Sequence, residues 1–184
     1  MGAPPVHRIE LRLRDFAQLF NSMDPTPFHH KDLDPGAEEF IESWALEFPP
    51  GSRFQVTVHI QQTPIPVDAN LLVADAIHNF FAYKAELTRR ELRRLLQQGR
   101  ISLVIGLAFL ALCLFAANAI GQIATGTVLS IGRESLTIGG WVAMWRPIQI
   151  FLYDWWPLAR RRRIYHSLSR AQIRVSEDRQ ARAG

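Results

Sequence analysis

Cysteine is nearly missing from this sequence. Cys113 stands alone, which excludes an intramolecular disulfide framework and any CxxC metal site. There is no glycine-rich phosphate loop and no GxSxG, so neither a nucleotide cradle nor a serine nucleophile on a strand-to-helix elbow is written in the chain. Internal repeats and low-complexity tracts are lacking too. The most informative absence is one of charge: no Asp, Glu, Lys or Arg occurs between Ile101 and Gly132. Within that gap, residues 101–123 read ISLVIGLAFLALCLFAANAIGQI, longer than the roughly 20 apolar residues that span a bilayer. A purely soluble chain is disfavoured, and so is disorder.

The averages hide this. Over 184 residues the chain is 48% hydrophobic and 21% charged, with a mean hydropathy of −0.02, as in an ordinary soluble protein. Charge, however, comes in blocks. Residues 1–83 carry a net −6, residues 84–100 a net +4, and residues 159–184 a net +6. The basic character therefore sits in two collars around the apolar region, and no nucleic-acid partner is expected, because that would need clustered charge with aromatics on a soluble face. Near the start, Met1–Arg14 offers no apolar targeting core. The first segment able to engage a translocon begins near residue 101, so the preceding part is expected to stay cytoplasmic.

Alternation marks two strands. In His7–Arg14, Ile9, Leu11 and Leu13 share a face; in Phe54–Gln61, Phe54, Val56, Val58 and Ile60 do. A third alternating stretch at 171–176 could add a strand beside them. Asp15 can cap a short helix with Phe16, Leu19 and Phe20, and Asp34-Pro35 opens a second helix, with Glu38 and Glu39 suited to its positive end. Phe40, Ile41, Trp44 and Phe48 fall on one side of it, and Phe40, Trp44 and Phe48 are expected to hold the core. From Asp68 to about Gln98 runs a long helix, opening with Leu71, Leu72, Ile77, Phe80 and Phe81 and closing on a basic face; Gly99 is expected to weaken it.

These signals predict an α+β membrane protein: a small cytoplasmic α/β domain of two or three strands and two or three helices on a two-helix transmembrane hairpin. The expected divisions are a cytoplasmic domain at 1–66, an amphipathic helix at 67–100, a first span at 101–123, an external loop at 124–135, a second span at 136–158 and a basic tail at 159–184. The second span holds Arg146 and Asp154, so its flanks speak for it: five Trp and Tyr residues at its ends and the Arg160–Arg163 run directly after it. An interfacial amphipathic helix at 141–158 is the other reading. By the positive-inside rule both termini are cytoplasmic.

Candidate chemistry is sparse. His29, His30, Asp32 and Asp34 are metal-ligand types, but neighbours in one loop rarely converge on an ion, so no metal and no cofactor are expected. His59 and His78 read as surface or core residues, and Cys113, amid an apolar helix, is a poor nucleophile. An intramembrane charge is costly, about 2.5–3.5 kcal/mol on insertion scales, which singles out Arg146. Placed about ten residues into its span, Arg146 is expected near mid-depth, beyond direct reach of Asp154 on an ideal helix (about 12 Å in rise). It therefore needs Asn118, a carbonyl, a lipid phosphate or a carboxylate from elsewhere. Helix packing is expected at the four-residue pairs Ala117/Gly121 and Gly139/Ala143. Headgroups would meet the collar of Arg93, Arg94, Arg100, Arg160, Arg161, Arg162 and Arg163.

The stretches LRLRDFAQLFNSMDP, KDLDPGAEEFI and GGWVAMWRPIQIFLYDWWPLARRRR resemble a family of small two-span bacterial inner-membrane proteins to which no activity is assigned. The resemblance implies a bacterial inner membrane and carries over no functional residue. The expected function is then a non-catalytic accessory, scaffold or assembly protein, with membrane lipids as partners, acting as a homo-oligomer or as a subunit of a larger membrane complex. The alternative is a small oligomeric channel or transporter component with Arg146 lining an anion path.

Overall fold

The computed structural model describes residues 5–21, 32–61, 68–123 and 126–177. His29 and His30 lie outside them. The chain divides into two compact units, one of residues 1–88 with 160–184, the other of residues 89–159.

The first unit is α+β. Strands β1 (Val6–Leu13), β2 (Arg53–Ile60) and β3 (Gln172–Glu177) form one sheet in the order β1-β2-β3. Both pairings are parallel: Ile9 stands beside Val56 and Leu11 beside Val58, and Val56 and Val58 in turn meet Ile173 and Val175. The three alternating segments thus pair as their patterns require, since a one-residue slip would turn every apolar side chain to the wrong face. Parallel neighbours need crossovers. Helix α1 (Pro35–Glu47) makes the first; the second takes the whole chain from β2 to β3.

Both N-caps form as expected. Asp15 Oδ1 accepts from Ala17 N at 3.2 Å, at the head of a 3-10 turn over Phe16–Leu19, and Asp34 Oδ1 accepts from Gly36 N at 2.9 Å, with Pro35 in the first turn of α1. Which face of α1 is buried differs from the expectation. Ala37, Ile41 and Ala45 are buried, whereas Phe40 and Trp44 are 40% and 44% exposed. The alanines let the helix approach the sheet closely, which turns the bulkier rings to its flank. Phe48 does pack on the core and stacks on His7 at 3.9 Å between ring centroids. The core also includes Ile9 and Leu11 of β1, Phe54, Val56, Val58 and Ile60 of β2, Leu19 and Phe20, Val73, Ile77 and Phe81, and Ile164, Tyr165 and Leu168. Each fully buried large side chain of this set stabilises by about 1.5–3 kcal/mol. Leu71 is excluded and exposed.

Helix α2 (Ala69–Ile123) runs unbroken through 55 residues, and among the described residues it is the one helix long and apolar enough to cross a membrane. Gly99 does not end it: a Cβ there would come 2.8 Å from Ile150 Cγ2, so the glycine admits a neighbouring side chain.

In the second unit an antiparallel arm lies along α2. Gly140 faces Leu110 and Cys113, Gly106 faces Ala143 and Met144, and Gly99 faces Ile150 and Phe151. Among the described residues only α2 passes as a span by length and composition, and the expectation of a second continuous apolar helix is corrected in two respects. Most of the expected loop at 124–135 is helical, since α3 (Thr127–Ala143) starts directly after Gly126 and meets no proline. The expected span at 136–158 is interrupted: α3 stops at Ala143, α4 covers Trp145–Gln149, a π turn covers Ile150–Asp154, and α5 (Trp155–Leu168) follows. Prolines cause the interruptions. Pro147 has no N–H to offer the carbonyl of Ala143, and Pro157 follows the π turn at the same spacing from Tyr153.

Candidate functional site

The interrupted arm decides the environment of Arg146. On an ideal helix, eight residues place Asp154 about 80° off its face and 12 Å along. The π turn between them is wider and shorter per residue, and Arg146 Nη1 reaches Asp154 Oδ2 at 3.8 Å. The expectation that they are too far apart is overturned. Depth changes as well. Since Gly106 stands opposite Ala143 and Gly99 opposite Ile150, Arg146 is level with residues 103–104, about 5 Å past Arg100 along α2. It therefore stands near the basic end of the apolar stretch 101–123 of α2 and not opposite its middle. Asn118 is about 20 Å further along α2 and is exposed, so it does not serve Arg146.

The seam between α2 and the arm is built from small residues at seven-residue spacing: Gly99, Gly106 and Cys113, then Ala117 four further on. A Cβ on Gly106 would be 3.1 Å from Ala143 O, the very carbonyl that Pro147 leaves without its helical partner. Ala117 is buried, and Gly121 lies against the guanidinium of Arg133. Of the expected pair on the arm, Ala143 is in the seam and Gly139 is not; a Cβ on Gly139 meets nothing within 4 Å, whereas one on Gly140 would come 2.8 Å from Leu110 Cδ1. The heptad-like Gly99/Gly106/Cys113 spacing was the signal that could have located this seam.

Around the seam the apolar side chains point out. Val104, Ile105, Leu112 and Phe115 on α2, and Ile138, Trp141, Val142, Trp145 and Leu152 on the arm, are all exposed. A contiguous apolar surface of this kind is unfavourable in water and natural in lipid.

The collar splits into two kinds of arginine. Arg93, Arg94, Arg100, Arg162 and Arg163 are exposed. Arg160 donates from Nη2 to Leu46 O at 2.6 Å, and Arg161 Nε lies 3.6 Å from Glu42 Oε1. These two tie α5 to α1. The same α1 flank carries Glu38, paired with Lys84 of α2. Burial, together with a hydrogen bond to Glu42, pushes the Tyr165 hydroxyl well above the ordinary tyrosine range.

One surface of the first unit was not legible from charge blocks. Among the described residues, helices pack on the apolar side of the sheet, and the arginines of the other side are exposed. On the other side the register lines up Arg8 with Gln55 and Gln172, Glu10 with Thr57 and Arg174, and Arg12 with His59 and Ser176, with Arg53 beside Val6. Arg8, Arg12, Arg53 and Arg174 are all exposed. Arg8, Arg12 and Arg53 come from the stretch whose total charge is −6 and Arg174 from the basic tail. Glu10 is the one acid among these positions, so the face is basic, while Glu38, Glu39, Glu42 and Glu47 lie on α1. Parallel sheets are normally covered on both faces. His59 contributes locally, 3.9 Å from Glu10, and His78 Nε2 lies 2.8 Å from Ala171 O, holding the start of β3 to α2. Among the described residues no three His, Cys, Asp or Glu gather as a metal-binding group.

No family model matches this chain, and no curated protein or solved structure matches it either. What it does has to be argued from these surfaces.

Proposed function

We propose that the chain is a non-catalytic membrane accessory or assembly protein of two spans, with both termini on the cytoplasmic side of a bacterial inner membrane. The observation that supports the topology most is the pairing of β2 with β3 in one sheet. The chain leaves β2, enters the apolar helix α2 and comes back to lie beside β2. If α2 crosses the bilayer, the following arm must cross back, and the Arg146–Asp154 pairing lowers the cost of carrying its two charges. The arginines that follow then stay inside.

The assembly role rests on the uncovered basic sheet face. Two such faces cannot pack on each other without opposing arginines, so the surface suits an acidic protein face, on another copy or on a larger membrane complex. It carries no Phe, Tyr or Trp on which bases could stack, and its one imidazole, His59, lies beside Glu10, which favours protein over nucleic acid. Arg146 stands 3.8 Å from Asp154 of its own chain, which supports a contact within the chain over the anion-channel reading.

Two measurements test this. In a Cys113→Ala background, Val128→Cys should be labelled from outside intact cells and Arg53→Cys should not; labelling of both, or of neither, removes the two-span topology. The gently solubilised protein should run as a complex larger than the 21.0 kDa chain. Arg8→Glu with Arg174→Glu should reduce that mass while membrane insertion persists. An unchanged mass would remove the sheet face from the account.

A further inference from the structure

In the second unit a groove of about 430 Å3 opens between α2 and the arm, lined by Ser102, Ile105, Gly106, Phe109, Arg146 and Pro147, with Ala143 at its side. Its shape has a cause. Gly106 has no side chain to fill it, and the arm is interrupted at Met144 and Pro147 directly opposite. One end is cationic and the rest is apolar.

The cation is under-supplied with acceptors. A guanidinium carries five N–H donors and does not lose its charge. Among the described residues Arg146 has one ionic neighbour, Asp154 at 3.8 Å, which is beyond hydrogen-bond distance, and its side chain is 56% exposed. In hydrocarbon such donors must find oxygen. The level of Arg146, about one turn past Arg100, brings phosphate oxygens within its reach. Ser102 adds a hydroxyl at the same level. Beyond the arginine, Ile105 and Phe109 are 64% and 46% exposed and line a path away from the basic end along α2.

We propose that this groove holds one phospholipid, its phosphodiester on Arg146 with Ser102 beside it and an acyl chain laid over Ile105, Gly106 and Phe109. The proposal rests on the membrane reading above. The apolar lining distinguishes the ligand from free phosphate, which would use the arginine alone. Asp154 attracts the guanidinium at 3.8 Å without hydrogen-bonding it, which leaves its N–H donors for the lipid phosphate. Gly106 acts as the floor, so a larger residue there closes the groove.

The test uses the full chain in detergent micelles, with spin-labelled phosphatidylglycerol as probe and diacylglycerol and inorganic phosphate as the comparison ligands. Wild type should immobilise one phosphatidylglycerol at least about fivefold better than diacylglycerol, with no displacement by millimolar inorganic phosphate. Arg146→Gln should erase that preference, and Arg146→Lys should retain part of it, since lysine keeps charge without the fork. Phe109→Ala should weaken retention of the lipid without restoring competition by phosphate. Equal immobilisation by wild type and Arg146→Gln, with both proteins inserting normally in vesicles, overturns the site and leaves the membrane reading standing. Displacement by inorganic phosphate overturns the acyl contact. A protein carboxylate found on Arg146 in the purified complex, with no lipid retained, also overturns the proposal. Failure of wild type to insert at all removes the membrane reading and the site together.

Discussion

The two units solve opposite problems with the same residues. In the first, Val56, Val58, Ile77 and Phe81 are sealed inside and arginines cover the surface. In the second, phenylalanine, leucine and tryptophan lie outside and glycine, alanine and cysteine make the contacts. Water drives the first arrangement by rejecting apolar area. Lipid offers no such drive, so helices associate there through close backbone approach. Identical truncations should therefore have very different costs on either side of the boundary.

The sharpest contrast is between Phe81, fully buried, and Phe115, 73% exposed. Phe81→Ala should destabilise the first unit by about 3–5 kcal/mol, seen as protease sensitivity and a lowered melting transition. Phe115→Ala in a bilayer should change stability by no more than about 0.5 kcal/mol. Equal costs would mean that the second unit is packed like a soluble core. Next in size is the seam. Gly140→Cys would place its Cβ 3.2 Å from that of Cys113 and 2.8 Å from Leu110 Cδ1. The small shift that relieves Leu110 brings the pair into disulfide range, so mild oxidant should bridge the two and protect both thiols from maleimide. Adding Gly106→Leu, which overpacks the seam by about 1–3 kcal/mol, should abolish that protection. Protection that survives it would show that the arm does not depend on close approach at Gly106.

Tyr165 gives a pH signature confined to the first unit. Its folded-state pKa is raised by burial and by Glu42, so folding favours the neutral phenol. That contribution is complete below the unfolded value near 10 and is lost as pH rises beyond it. Melting measured from pH 9 to 11 should fall more steeply in wild type than in Tyr165→Phe; equal slopes would assign the alkaline loss elsewhere. The smallest effect belongs to Glu38–Lys84. Both side chains are only partly buried, so Lys84→Met should cost about 1 kcal/mol or less, reduced further by salt.

How much of this was legible depended on the range of the cause. Strand alternation at 9–13, 56–60 and 173–175 predicted the sheet, and Asp15 and Asp34 predicted their caps, because both act within a few residues. The rotation of α1 was not legible, since Phe40 and Ile41 are equally good core candidates until the sheet selects the alanine side. Gly99 reads as a weak point of the helix until Ile150 is packed on it.

The sequence by itself determined the apolar span, the basic collars and the periodicity of each strand, all of them consequences of local chemistry. Only the tertiary structure decided which charges share a surface. Arg8, Arg53 and Arg174 come from distant segments and are carried to one face of the sheet by the parallel pairing, so block charges of opposite sign conceal one basic face. Arg146 found Asp154 because Pro147 and a π turn change the phase and length of the arm between them. Eight residues on an ideal helix measure a separation; the actual one depends on which backbone hydrogen bond the proline removes.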